Sequence, residues 1–213
     1  MTSPNVAERA AGAIDFTMMY ATHDAFRSDL DRLAAAVAAG KASTPRVRAG
    51  WENFETQLLI HHSVEDSHLW PPLRRAVAGR PGDLALLDQI QAEHAQIDPL
   101  LAAVDDALSG NGGNPAWPVR DLSAALARHL THEEQAALPL IQSVLTPADW
   151  RAFAGQMRRR QGIKGAAVYV PWVLDGTSRS RQRDFLAQLP NPVRLISRLL
   201  WQPRYQQRNL WKL

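Results

Sequence analysis

Residues 58–73 read LLIHHSVEDSHLWPPL, and residues 126–141, 68 positions later, read LARHLTHEEQAALPLI. Both carry one pattern: His61, Glu65 four residues on and Pro71 six beyond that, then His129, Glu133 and Pro139 at the same intervals. Four residues is about one helical turn, ~6 Å of rise, so each histidine stacks on its glutamate along one helix face and the pair can close on a single metal ion. Two such pairs predict two metals.

Four long helical patterns contain these turns. Ile14 to Ala39 places Ile14, Met18, Phe26, Leu30, Leu33 and Val37 at helical spacing and stops at Gly40, a natural residue just past a helix end. The second pattern starts at Pro45 and runs to about Ala78, with Pro71 and Pro72 expected to break it near Trp70 because proline lacks the helical donor. The third spans Gly82 to Leu108, is expected to bend at Pro99, and closes on the loop SGNGGN. The fourth extends from about Pro118 to Val144, with Pro139 placed as Pro71 is. Short loops between long amphipathic helices imply antiparallel neighbours. The expected fold is all-α: an up-down-up-down four-helix bundle over 14–145, preceded by an arm over 1–13 and followed by a basic, helical extension over 146–213.

In that extension, Thr146 with Pro147 and Asp149 predicts a helix start, and Arg158, Arg159 and Arg160 predict its end. Then come AAVYVPWVLDG, a segment around Arg179 to Gln188, and Val193 to Trp201. These apolar pieces are too small for a second core and are expected to pack along the bundle. Residues 1–150 hold 11 basic and 19 acidic side chains, net −8, whereas 151–213 hold 13 and 2, net +11. Such an end could meet nucleic acid or anionic lipid, but neutralising the acidic bundle is the preferred reading. A protein partner for the basic tail stays open, and no nucleic-acid recognition helix stands out.

With no cysteine among 213 residues, a metal here must use imidazole and carboxylate, which suit iron, manganese or zinc. The start MTSPNVAERAAG lacks a basic stretch followed by an apolar run, and no uncharged segment nears the ~20 residues a bilayer span needs. A soluble, cytoplasmic protein is expected.

All seven histidines lie in the four helical patterns. His23 and His94 stand alone on the first and third, each 35 to 38 residues before the histidine of a His-x-x-x-Glu pair. A lone histidine on an apolar helix face is ordinarily a hydrogen-bonded core residue, and a Glu one turn from a cation is ordinarily a surface pair. The joint order favours ligands: in a bundle, inward side chains from four helices meet at one depth, where polar groups are costly unless paired or metal-bound.

The arrangement resembles the hemerythrin-like, HHE cation-binding domain. The segments that carry it are THDAFRSDL, LLIHHSVEDSHLWPPL, EHAQIDPLL and LARHLTHEEQAALPLI, together covering roughly residues 14 to 145. The resemblance implies a non-haem centre of two iron ions, with His23, His61, His94 and His129 as nitrogen ligands, Glu65 and Glu133 as bridging carboxylates, and an oxo or hydroxo bridge. The familiar pattern has a second histidine one turn after that of the third helix; this chain has Asp98 there. Some relatives use instead the residue after the second-helix histidine, here His62. Two octahedral irons offer about twelve positions, of which four histidines, two bridging carboxylates and a bridging oxygen fill about ten. Adding His62 leaves one, as end-on binding of a diatomic ligand requires, so His62 is favoured over Asp98. His68 and His132 are expected outside the ligand set, as hydrogen-bonding, proton-moving or entrance-guarding groups. Asp66 and Glu134 are expected as surface charges or acceptors for ligand histidines.

Three functions are open: the resemblance supports the first, the extra histidines His68 and His132 the second, and the charge division near 150 the third. The first is binding of O2, NO or peroxide for storage, delivery or sensing. The second is an enzyme acting on peroxide or O2, catalase-like or an oxidase. The third is a redox-responsive regulator in which the basic tail changes its docking.

Overall fold

A computed structural model describes residues 12–111 and 113–213; the expected arm over 1–13 lies almost wholly outside them. The described residues form helices and no strand. The order is α1 (Thr17–Ala38), α2 (Pro45–His68), α3 (Trp70–Ala76), α4 (Pro81–Leu108), α5 (Ala116–His132), α6 (Leu138–Val144), α7 (Pro147–Gly176), α8 (Arg179–Ala187), α9 (Asn191–Ile196) and α10 (Gln202–Gln207). Two π-helical segments interrupt this series, Glu133–Ala137 between α5 and α6 and Ser197–Trp201 between α9 and α10.

The local causes follow the sequence closely. α2 begins at Pro45, where a missing N–H costs nothing, and the chain breaks at Leu69, just before the two prolines. In the fourth pattern the same proline spacing has another outcome. Pro139 has no N–H for the Gln135 carbonyl, and the turn widens instead, so that the Leu138 N–H reaches Glu133 O, five residues back. α7 starts with reciprocal capping: Thr146 Oγ1 accepts from the Asp149 N–H at 3.2 Å and Asp149 Oδ2 accepts from the Thr146 N–H at 2.9 Å. The triple-arginine end expected near 160 is a break at Gly162, at φ +59°, after which the helix resumes through AAVYVPWVLDG. A side chain at that φ would be strained.

Contacts between neighbouring helices run in opposite senses. Arg48 meets Asp105 while Asp66 meets His94, and Ile14 reaches Gln142 while His23 reaches Glu134. The buried apolar side chains divide into two clusters. One holds Phe26, Leu33, Trp51, Phe54, Leu58, Leu101 and Leu126; the other holds Val64, Trp70, Leu73, Leu87, Ile90, Leu138 and Ile141. Between them, on all four long helices, lie the positions of the candidate ligands.

The extension packs on the bundle, and it does so through apolar contact. Trp172, Val173, Phe185, Tyr205 and Trp211 belong to the first cluster, and the Trp172 ring lies 5.1 Å from that of Phe26. Trp211 seats directly on Gly50, where a Cβ would collide with the indole, and the backbone N–H of Trp211 donates to Arg46 O at 3.1 Å. Charge neutralisation contributes little: among the described residues, Arg181 is the one cation of 151–213 that pairs with a bundle carboxylate, Asp24 at 3.0 Å.

Asp29 ties the two parts together from inside. It is fully buried on α1 and accepts from Trp172 Nε1–H at 2.8 Å. Burial pushes its carboxyl up to about 7, against the opposing pull of the Trp172 hydrogen bond and Arg32. Because the folded pKa exceeds the unfolded one, this group favours folding fully below about pH 4, and that contribution is lost as pH rises through about 7. Asp29→Asn keeps an acceptor for Trp172 and removes the ionisation. The unfolding free energy of the wild type in urea is expected to fall relative to that of the variant between about pH 4 and about pH 7, by a few kcal/mol at most. Parallel pH profiles would contradict this account of Asp29.

Candidate metal centre

The seven side chains His23, His61, His62, Glu65, His94, His129 and Glu133 are all buried, none more than 7% exposed. α1 supplies His23, α2 supplies His61, His62 and Glu65, α4 supplies His94, and α5 with the following π segment supplies His129 and Glu133. Helical periodicity brings His61 and Glu65 onto one face, as it does His129 and Glu133. They converge in two groups. Ligand atoms of His62, His94 and His129 lie within 4.8 Å of one another, and so do those of His23, His61 and Glu133. Asp98, the competing seventh candidate, is exposed, and His68 is exposed as well.

Glu65 lies between the groups. Its Oε1 is 3.1 Å from His61 Nε2 and its Oε2 is 3.9 Å from His94 Nε2. Glu133 reaches both ways with one oxygen, Oε2, at 3.4 Å from His23 Nε2 and 4.0 Å from His129 Nε2. Yet both oxygens of Glu65 and of Glu133, and Nε2 of His62, His94 and His129, have no hydrogen-bond partner among the described residues. Buried polar atoms are normally partnered, because each orphan costs about 1–3 kcal/mol. Seven orphans facing one space fit a bound cation, since five imidazoles and two carboxylates form the N/O donor set of iron, manganese or zinc.

The far side of the imidazoles is anchored. Nδ1–H of His94 donates to Asp66 at 3.0 Å, that of His23 to Glu134 at 2.8 Å, and that of His129 to Glu93 at 3.1 Å. Each bond puts the proton on Nδ1, turns the Nε2 lone pair inward and raises its basicity. Glu134 is itself held by Arg27 Nη1 at 2.8 Å, and Glu93 also receives His132 Nδ1–H at 2.8 Å. Asp66 and Glu134 thus act as acceptors, one of the two roles open to them in the sequence. Glu93 was not singled out there. A signal existed: Asp66 follows Glu65, Glu134 follows Glu133 and Glu93 precedes His94, so all three anchoring carboxylates adjoin a candidate ligand.

The electrostatics suit displacement of protons by a cation. Burial holds His61 and His62 well below the usual imidazole range, helped by neighbouring histidines, and burial also lowers His129. Neutral imidazole is the form that coordinates. Burial works against charge on His23 too, but the Glu133 carboxylate beside it and its hydrogen bond with Glu134 outweigh that and raise it. Burial, followed by the Glu133 charge, raises Glu65 well above the carboxylate range. Glu133 moves oppositely, to about 2, because His23 overcomes its burial. Without a metal, therefore, both Glu65 and His23 are shifted toward their protonated forms. Metal loading is expected to release protons, and affinity is expected to fall as pH is lowered. Calorimetry in buffers of different ionisation enthalpy measures the release; loading without protons would contradict the assignment.

Comparison with known proteins agrees with this geometry. The family model described as the hemerythrin HHE cation binding domain matches residues 11–141. No curated protein and no solved structure gives a match. The matched span takes in every residue of the two groups and covers more than half of the chain, and the chain belongs to the hemerythrin HHE cation-binding family.

Proposed function

We propose that this protein is a non-haem di-iron protein that binds O2, or the related ligands NO and peroxide, for storage, delivery or sensing. The observation that carries the reading is Glu65, one buried carboxylate that presents Oε1 to the His61 group and Oε2 to the His94 group. When bound, the two irons would supply the redox-active centre at which such a ligand coordinates. His62, His94 and His129 bring three nitrogens to one side; His23 and His61 bring two to the other. Glu65 and Glu133 would be shared between the two sides, and the side with two histidines would then be the less saturated one, available to a small ligand. The walls are dry and aromatic: Phe26 lies 5.4 Å from His61 and Trp70 6.4 Å from His94, ring centre to ring centre. A buried centre with apolar walls, whose surrounding carboxylates Asp66, Glu93 and Glu134 are engaged in holding histidines, favours binding over turnover.

One observation favours the enzyme reading, in which the centre acts on peroxide or O2. His132 is partly exposed and shares Glu93 with His129, forming a hydrogen-bonded path from the surface to a ligand. Such a path can move protons, which a simple carrier does not need. The placement is read as cytoplasmic; among the described residues no helix is long and apolar enough to cross a membrane.

Two measurements test these readings. The reduced, iron-loaded protein is expected to develop visible charge-transfer bands with O2 and to lose them on deoxygenation; irreversible consumption of O2 would end the carrier reading. O2 evolution from H2O2 that drops about tenfold or more in His132→Ala, with iron content retained, would decide for the enzyme. For the ligand set, His62→Ala is expected to lower iron from about two to about one per chain, while Asp98→Ala leaves it unchanged. The opposite pattern would transfer the seventh position to Asp98.

A further inference from the structure

The last helical stretch carries a surface that the metal centre does not use. From Asn191 to Gln207 the chain is helical through α9, the Ser197–Trp201 segment and α10. Val193, Ser197, Trp201 and Tyr205 recur every fourth residue and form its inner stripe: Ser197 and Tyr205 are buried, Val193 and Trp201 half-buried. On the other side Leu195 is 58% exposed, Ile196 40%, Leu199 60% and Leu200 48%. Positions i, i+1, i+4 and i+5 form one continuous arc of a helix, so these four aliphatic side chains adjoin. Single exposed aliphatics are ordinary on a protein surface, but an arc of them marks an interaction site.

The charges around the arc indicate what covers it. Arg194 and Arg198 border it, and Arg204 and Arg208 follow; all four are exposed. Residues 185–213 contain no Asp or Glu, and among the described residues no carboxylate pairs with these four arginines. A second copy of this face would bring like charges together, which opposes association. A phosphate backbone would engage the guanidinium groups and leave the aliphatic arc in water. An anionic bilayer surface satisfies both features, with leucines in the acyl boundary and arginines at the level of the lipid phosphates.

We propose that residues 191–207 form an interfacial anchor, lying in the plane of an anionic lipid surface while its inner stripe stays packed on α7. The basic extension then has two faces: an apolar one that docks on the bundle and an outer one that seats the whole protein on lipid.

The test is sedimentation of the full-length, metal-loaded chain with vesicles of phosphatidylcholine alone, or of equal parts phosphatidylcholine and phosphatidylglycerol. Binding to the mixed vesicles is expected to exceed that to the neutral ones about tenfold or more, and to weaken between about 50 mM and about 500 mM salt. Leu199→Gln with Leu200→Gln, and separately Arg198→Gln with Arg204→Gln, are each expected to lower it about tenfold. These positions are solvent-exposed, so unchanged helical circular dichroism and iron content establish that the fold is retained. Absence of binding to mixed vesicles at low salt would overturn the proposal. So would unchanged binding by both double variants, or a dimer in sedimentation velocity that Leu199→Gln with Leu200→Gln dissociates.

Discussion

A layer of polar groups buried away from the surface is the constraint on which the rest of this structure depends. Five imidazoles and two carboxylates occupy one depth of the bundle, with an apolar cluster on either side. An unpaired buried charge costs several kcal/mol, against a total domain stability of about 5–15 kcal/mol. Such a layer persists only when its charges are compensated. In the protein alone the compensation is uneven, with Glu133 ionised beside His23 and Glu65 pushed toward its neutral form. Two divalent cations would satisfy the whole layer at once. The anchoring carboxylates Asp66, Glu93 and Glu134 serve the same end from outside, each holding one candidate ligand histidine by its Nδ1.

The layer also accounts for the asymmetry of a chain that looks duplicated. The repeated His-x-x-x-Glu turns are related by 68 residues, yet His62 has no counterpart because Leu130 stands at the equivalent position. His62 stacks on His94, with ring centres 4.0 Å apart, and joins the group on that side. Its mirror place at Leu130 is part of the apolar cluster. In the proposed di-iron centre, unequal nitrogen counts on the two sides would separate a closed position from one that can take a ligand. The prolines diverge likewise: Pro71 follows a clean break, whereas Pro139 sits in a widened turn that begins at Glu133 itself. π segments of this kind often accompany functional side chains, because the extra residue re-aims them.

Much of this was legible in the sequence, and the part that was not has a physical reason. Helical periodicity places His61 above Glu65 whatever the tertiary fold, so the paired turns, the helix starts at Pro45 and Pro147 and the all-α class could be read directly. Glu93 could not, because its partners His129 and His132 lie on another helix and no periodicity within one helix expresses that contact. The choice between His62 and Asp98 rested on a coordination count; in the structure His62 is buried beside His94 and His129, and Asp98 faces solvent. Charge composition suggested that the basic tail neutralises the acidic bundle, but packing is chiefly through Trp172, Phe185, Tyr205 and Trp211. Net charge reports a long-range field, and close contact is decided by apolar area. Asp29, buried under Trp172, carries no sequence mark that separates it from an exposed helix carboxylate.

The central claim is that these residues hold two metal ions in one layer. Anomalous diffraction at the iron edge from crystals of the iron-loaded protein tests it most directly. The account predicts two peaks, one among His62, His94 and His129 and one beside His23 and His61, with Glu65 and Glu133 between them. A single peak, or iron bound away from Glu65 and Glu133, would contradict it.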